Sequence, residues 1–177
     1  MADLGAANAV GEAIVGLLMQ RRSLLAAEGL LGPLPADAAI RQLPVAALVG
    51  PTPPSAGLSV TCWHVRRLDR RSPRPVMAEP REGSLDLELS YLLASWGPSS
   101  AEELSMLSWA MLELNRFPVL DPVLLPAGES VQLVPDNPDP ERLLRLWSAL
   151  GLKYRLSTLF TARAVRIGER PTVDDKG

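Results

Sequence analysis

The apolar positions near the start of the chain recur with the period of an α-helix. Over residues 4–28 they fall three, four and seven residues apart and form one stripe, made by Val10, Ala13, Ile14, Leu17 and Leu18. Leu24 and Leu25 continue the stripe, and Gly29 ends the helix. This pattern predicts a helix that packs on the core, with docking on a partner protein as the alternative.

Capping residues predict two further helices. Ser100 and Glu103 have the spacing of a capping box and predict a helix over Ala101–Arg116. Its buried face is expected to carry Leu104, Leu107, Met111 and Leu114. The run Asp139-Pro140-Glu141 supplies an N-cap, a proline at the first helical position and an acid in the first turn, and Gly151 ends this last helix.

Alternation of apolar and polar residues predicts the strands. Leu58–Arg67 is rich in β-branched and aromatic residues. Leu85–Trp96 alternates strictly at first and then becomes apolar on both faces from Tyr91 to Ala94, so this end is expected to lie deeper. Short strand candidates are Val45–Val49, Phe117–Leu125 and Ser130–Val134, and the last predicted strand is Arg155–Ile167.

These elements define the expected fold. Their order is α-β-β-β-α-β-β-α-β, which predicts an α+β (mixed α/β) fold with a mixed sheet packed by about three helices. The length of 177 residues favours one domain, expected over residues 1–167, followed by a polar tail at residues 168–177.

Composition and charge exclude several classes of protein. The chain is 47% hydrophobic and 21% charged, which suits a folded core and excludes disorder along its whole length. With 18 basic and 20 acidic residues the net charge is −2, so the positive field of a nucleic-acid-binding protein is missing. A single cysteine excludes an intrachain disulfide, and one histidine with one cysteine cannot make a structural zinc site.

The first residues lack the pattern of an export signal. They include Asp3 and Glu12, and the first basic residue is Arg21. The apolar stretch Ala13–Met19 is shorter than the ~20 residues that span a bilayer. We therefore expect a cytoplasmic protein that does not insert into a membrane. Attachment of the first helix to a membrane surface is an alternative, but its polar face has few basic residues.

The candidates for catalysis are weak. The chain contains neither the phosphate-binding pattern G-x-x-x-x-G-K-[ST] nor the nucleophile pattern G-x-S-x-G. Alternation along the strand Leu58–Arg67 puts Cys62 and His64 on one face, as a thiol–imidazole couple would require, but no third residue orients them. Packing in the core is the favoured explanation. The sequence predicts no catalytic, cofactor-binding or metal-binding residue.

One segment concentrates positive charge and is the candidate for binding a partner. Within nine positions it contains Arg66, Arg67, Arg70, Arg71 and Arg74, and prolines follow. Such a segment is typical of a solvated loop. The functional hypothesis is that these five arginines dock on an acidic protein surface.

Several stretches resemble a known family when taken in order. They are LSVTCWHVRR with the arginine-rich connection after it, Leu87–Trp96 (LELSYLLASW), Arg145–Leu150 (RLWSAL) and Tyr154–Ile167 (YRLSTLFTARAVRI). Together they resemble the N-terminal domain of the cap, or tube-terminator, proteins of extracellular contractile injection systems. These are phage-tail-like particles of the virulence-cassette and antifeeding-prophage type. The resemblance extends from the first helix to about Ile167.

The resemblance implies a structural role. Members of the family form a ring, expected to be a hexamer, on the end of the inner tube, where they halt polymerisation and bind the last layer of sheath. The implied partners are further copies of the chain, the inner-tube protein and the sheath protein, without nucleic acid and without a cofactor. The fold is expected to be related to contractile phage tail terminators.

Two alternatives remain open at the level of sequence. The protein is another structural or assembly component of the same particle, or it is a small cytosolic enzyme that uses Cys62 and His64. Alkylation of Cys62 separates these classes, because a cap continues to form rings whereas such an enzyme loses turnover.

Overall fold

The chain forms a mixed β-sheet with helices on both of its faces. The structure is a computed structural model that describes residues 5–32, 34–35, 38–49, 56–68, 85–120, 125 and 130–167. Within these residues six strands form one sheet in the order β1-β2-β3-β6-β5-β4, and only the pair of β1 with β2 is parallel. The elements are α1 (Ala6–Ala27), β1 (Ala39–Gln42), α2 (Val45–Leu48), β2 (Gly57–Arg67), β3 (Leu85–Trp96), α3 (Ser100–Arg116), β4 (Val119–Leu120), β5 (Val131–Asp136), α4 (Pro140–Ala149) and β6 (Ser157–Ile167).

The predicted α+β (mixed α/β) fold is confirmed, and one assignment near the start is wrong. Val45–Val49 was predicted as a strand, but Val45–Leu48 is the single helical turn α2, which begins after Pro44. The first strand is β1 instead, whose residues Ala-Ile-Arg-Gln have little strand propensity. Its place is set by β2, because a Cβ at Gly57 would lie 1.8 Å from the carbonyl oxygen of Ala39.

Helix α1 confirms most of the predicted stripe. Its buried apolar residues include Val10, Ile14 and Leu18, all at most 2% exposed. Leu24 is 44% exposed, so the predicted extension of the stripe is wrong. In the last turns of α1 the Arg22 guanidinium donates a hydrogen bond to the carbonyl oxygen of Ala38, so a polar contact replaces the apolar stripe there.

Strand β3 is the centre of the sheet and is buried as the sequence predicts. It pairs with β2 on one side and with β6 on the other, both antiparallel. Tyr91 and Leu93 pack in the larger core cluster beneath α1 and α3. Leu92 and Ala94, which point to the opposite face, pack in a second cluster with Trp147 of α4. The C-terminal half of β3 is therefore covered on both faces.

Helix α3 begins one residue earlier than predicted and buries a rotated face, which keeps the predicted Leu107 and Leu114. Its N-cap is Ser99, not Ser100, and the Ser99 hydroxyl accepts a hydrogen bond from the Glu102 amide at 3.3 Å. Leu104 and Met111, predicted to be buried, are 58% and 42% exposed. The buried residues are Met106, Leu107, Ala110, Glu113 and Leu114.

A buried carboxylate explains this rotation. Glu113 is 1% exposed and lies within the inward stripe of α3. Its Oε2 accepts a hydrogen bond from Nε of Arg21 at 2.8 Å, and its Oε1 accepts one from Arg116 at 3.1 Å. The Arg21 guanidinium also lies 5.0 Å from the centre of the Phe117 ring. This ion pair joins α1 to α3, and the two guanidinium groups allow a charged residue to occupy a core position.

The remaining elements follow the sequence closely. Asp139 caps α4 by accepting a hydrogen bond from the Glu141 amide at 3.1 Å, and Gly151 follows the helix with a φ of +70°. The observed strands β4, β5 and β6 lie at the predicted sites with shifted ends. Within the predicted strand Phe117–Leu125, residues 121–124 lie outside the described residues.

Loss of the Glu113 carboxylate should destabilise the protein. We expect Glu113→Ala to lower the free energy of unfolding by about 3 kcal/mol, because it leaves the partly buried Arg21 without its partner. The measurement is urea unfolding followed by tryptophan fluorescence. The matched control is Glu141→Ala, which removes an exposed pair with Arg145 and should cost less than about 1 kcal/mol. Equal costs would contradict the structural role of Glu113.

Candidate partner-binding surface

Part of one face of the sheet is charged. The face that packs α4 at one end carries Arg66, Asp86, Glu88, Arg163 and Arg166 at the other. These five residues are called the charged face below. They lie on β2, β3 and β6, where the antiparallel register brings Arg66 opposite Glu88 and Arg166 opposite Asp86.

Glu88 is the centre of the charged face. It is 8% exposed, and its two oxygens bind different guanidinium groups, Arg66 at 2.7 Å and Arg163 at 3.2 Å. The side chains of Arg66 and Arg163 are 60% and 53% exposed. Glu88 is buried because both neighbouring strands cover it with arginine side chains.

The structure separates the arginines that the sequence grouped. In the register of β2 with β3, Arg66 lies opposite Glu88 and Arg67 lies opposite Leu87. The two arginines therefore project to opposite faces of the sheet. Arg70, Arg71 and Arg74 lie outside the described residues. Sequence reasoning missed the contributions of Arg163 and Arg166, since only the pairing of β3 with β6 brings them to the same face.

A β-bulge separates the two residues of the candidate thiol–imidazole couple. Cys62 pairs with Tyr91, whereas His64 pairs with Ser90, so β2 carries one extra residue, Trp63, between them. Because Tyr91 and Ser90 project to opposite faces, Cys62 and His64 do so as well. The prediction that they share a face is wrong, since strict alternation cannot register a bulge.

The environment of Cys62 also differs from that of a nucleophile. It packs against the larger core cluster, and burial raises the pKa of its thiol. The thiol lies 3.7 Å from the carbonyl oxygen of His64. Cys62 is therefore a protonated, partly buried residue at neutral pH.

The described parts of the chain offer no alternative centre of metal chemistry. No group of three or more His, Cys, Asp or Glu side chains lies close enough to hold a metal ion there. None of the helices in these parts has the length and apolar character needed to cross a membrane.

Comparison with protein families gives a match over nearly the whole chain. Residues 9–176 match the family described as the Pvc16 N-terminal domain. The chain belongs to this family. No curated protein matches the sequence.

Two solved structures share the fold of this Pvc16 N-terminal domain. One is the PVC sheath/tube terminator of an extracellular contractile injection system in its extended state, with a TM-score of 0.55 and 22% identity over 94% of this chain. The other is the tube-terminating cap of the anti-feeding prophage, with a TM-score of 0.55 and 16% identity over 86% of this chain. The expected tail-terminator-like fold is confirmed. The aligned regions make up 57% and 55% of those two chains, so this chain spans little more than half of their length.

Burial of Cys62 predicts slow alkylation. Because its pKa is raised, the iodoacetamide reaction of the folded protein should reach its half-maximal rate at a higher pH than that of the urea-unfolded protein. Mass spectrometry of the single cysteine measures both rates. Coincident pH profiles would contradict the raised pKa, and a half-maximal rate at lower pH in the folded protein would show that Cys62 is an activated thiol.

Proposed function

We propose that the protein is the cap of a contractile injection system, a ring that ends polymerisation of the inner tube and anchors the last layer of sheath. The observation that carries the proposal is membership of the Pvc16 N-terminal domain family over residues 9–176. The fold shared with two tube-terminating caps supports it. We further propose that residues 1–167 act as one terminator-like domain and that the particle is assembled in the cytoplasm.

The surface of the subunit is suited to assembly. A closed ring requires two different, complementary surfaces on each subunit, and each stable contact buries roughly 800 Å² per partner. The outward side of α3 and the residues after it are rich in exposed apolar side chains, namely Leu104, Met111, Leu112, Phe117 and Val119. Large apolar groups exposed together on one side of a subunit are typical of a contact with another protein. We therefore propose a homo-oligomeric ring, with a hexamer as the expected form.

Termination of a polymer needs asymmetry. The cap must match the tube end with one surface and present no copy of that end on the other, so that no further tube subunit can add. This role depends on shape and surface chemistry, and the proposed function is structural rather than enzymatic. Because the bulge places Cys62 and His64 on opposite faces of β2, the two side chains are not arranged as a thiol–imidazole couple.

Arginines at the end of β2 are the proposed contact with tube or sheath. Arg66 is neutralised in part by Glu88, whereas Arg67 is exposed and forms no ion pair within the described residues. Arg70, Arg71 and Arg74 follow directly in the sequence. We propose that these five arginines meet an acidic surface of the tube or the sheath.

The cap role predicts binding to a single end of the tube. Purified protein mixed with the inner-tube protein of the same particle should form rings that occupy one end of each tube, as seen by negative-stain electron microscopy. Bovine serum albumin at the same concentration serves as the control for chance association. Rings on neither end, or decoration along the whole tube, would contradict the proposed function.

Neutralisation of the arginine segment predicts a loss of affinity that depends on salt. The triple variant Arg67→Gln, Arg70→Gln, Arg71→Gln should bind tube or sheath about tenfold more weakly at 50 mM salt or less, and the difference should shrink as salt screens the charges. The matched control neutralises Arg142, Arg145 and Lys153, which lie on and after α4. Biolayer interferometry measures both variants. If the triple variant binds as tightly as the wild type at low salt, the segment is not a docking surface.

A further inference from the structure

No strand among the described residues pairs with the outer side of β1. β1 lies at one end of the sheet and pairs only with β2 among the described strands. The amides of Ala39 and Leu43 donate to the carbonyls of Ala56 and Val60, both at 3.0 Å, and thus point toward β2. Because successive residues of a strand direct their backbone groups to opposite sides, Ile40 and Gln42 direct their N–H and C=O groups away from the sheet.

A groove of about 780 Å³ lies along this edge. One wall is a flank of α1 that includes Glu12, Val15 and Met19, and Met19 is 48% exposed. The other wall is formed by Arg41, Gln42 and the residues after β1. This space is called the edge groove. The four residues of β1 extend over roughly 13 Å, enough for a short strand to pair beside them.

Two glycines of α1 show that the edge groove has room for another backbone. A Cβ at Gly11 would lie 2.5 Å from Nε2 of Gln42, so a side chain there would displace the Gln42 amide. A Cβ at Gly16 would meet no atom within 4 Å, although glycine weakens a helix interior relative to alanine. Gly16 lines the edge groove, and its missing side chain lets a second chain approach α1 closely.

The opposite end of the sheet is a poor partner for this edge. There β4 has two residues, and the neighbouring β5 contains Pro135, which has no amide to donate. Pairing of the two ends between copies of the chain would therefore leave hydrogen bonds unmade. Pairing of two β1 edges gives a two-fold dimer, which does not propagate around a head-to-tail ring. The occupant suited to the edge groove is an extended segment of a different polypeptide.

The Gln42 amide reaches Asn8 of α1, so the neighbouring Arg41 projects to the opposite face of the sheet, where it favours acidic side chains. Arg41 is exposed, lines the groove and has no ion-pair partner among the residues that the structure describes. On the α1 side, Val15 and Met19 offer apolar contacts beside the carboxylate of Glu12, which accepts a hydrogen bond from Asn8 at 2.8 Å. A strand that pairs with β1 can place apolar side chains on α1 and alternate acidic side chains near Arg41.

We propose that the edge groove binds an extended, acidic segment of another polypeptide of the particle, which adds to β1 as a seventh strand of the sheet. This inference rests on the proposed cap function, because it takes the partner to be a component of the tube or the sheath. Backbone hydrogen bonds to Ile40 and Gln42 supply the affinity, and Arg41 with the α1 flank supplies the preference for sequence.

Amide hydrogen exchange tests the backbone pairing directly. The full chain is measured alone and in complex with purified sheath protein and with purified tube protein as separate probes. In the complex that uses the groove, exchange at Ile40 and Gln42 should slow by about tenfold or more, while Ala39 and Leu43, already bonded to β2, should change little. A bound complex in which Ile40 and Gln42 exchange at the free rate would overturn the proposal.

Variants in the groove provide the second measurement. Gly16→Leu fills open space without meeting another atom of the subunit, and Arg41→Glu reverses the charge. Each should weaken binding of the probe by about tenfold or more. The matched controls are Ala26→Leu, on an exposed turn of α1, and Lys153→Glu, after α4, and both should bind as the wild type does. Undiminished binding by both groove variants would overturn the inference.

Electron microscopy of the tube ends distinguishes a failure of the proposed cap function from a failure of the groove inference. If wild-type protein fails to cap tubes, the cap function is contradicted and the groove inference falls with it. If Gly16→Leu caps tubes and binds sheath as well as the wild type does, only the groove inference is contradicted. A cross-link from the groove to a second copy of the chain, with no cross-link to tube or sheath, would likewise overturn it.

Discussion

The face of β3 opposite α1 and α3 changes from charged to apolar halfway along the strand, and the rest of the structure depends on this change. From Tyr91 to Trp96 every residue is buried, because α1 and α3 cover one face of the sheet and α4 covers the other. Before Tyr91 the face opposite α1 and α3 carries charged residues, with Glu88 between Arg66 and Arg163. One strand therefore contributes both to the apolar core clusters and to the charged face.

A subunit built in this way is suited to assembly more than to reaction. The ion pair of Glu113 with Arg21 holds α1 against α3, so the helix that forms one wall of the edge groove is fixed relative to the sheet. The exposed apolar side of α3, the charged face and the outer edge of β1 are three different surfaces on one rigid frame. A cap that contacts its own copies, the tube and the sheath requires several distinct surfaces of this kind.

The sequence predicts the elements well wherever local chemistry decides them, as the Asp139 cap, Gly151 and the apolar half of β3 show. It fails where long-range contacts decide. β1 has weak strand propensity and forms through its parallel register with β2, and α3 turns Glu113 inward because arginines from two positions neutralise it. The bulge at Trp63 reverses the faces of β2, so Cys62 and His64 separate. The ion-pair partners of Glu88 could not be predicted either, because Arg163 is 75 positions away in the sequence and contacts Glu88 only across the sheet.

The length distribution of assembled particles tests the central claim most directly. Particles are produced from cells with the intact gene, from cells in which it is deleted, and from deleted cells that carry it on a plasmid, and tube lengths are measured by electron microscopy. The account predicts a narrow distribution with the gene, a broad one or detached sheath without it, and recovery on complementation. Tubes of normal, uniform length with sheath attached in the deletion strain would contradict it.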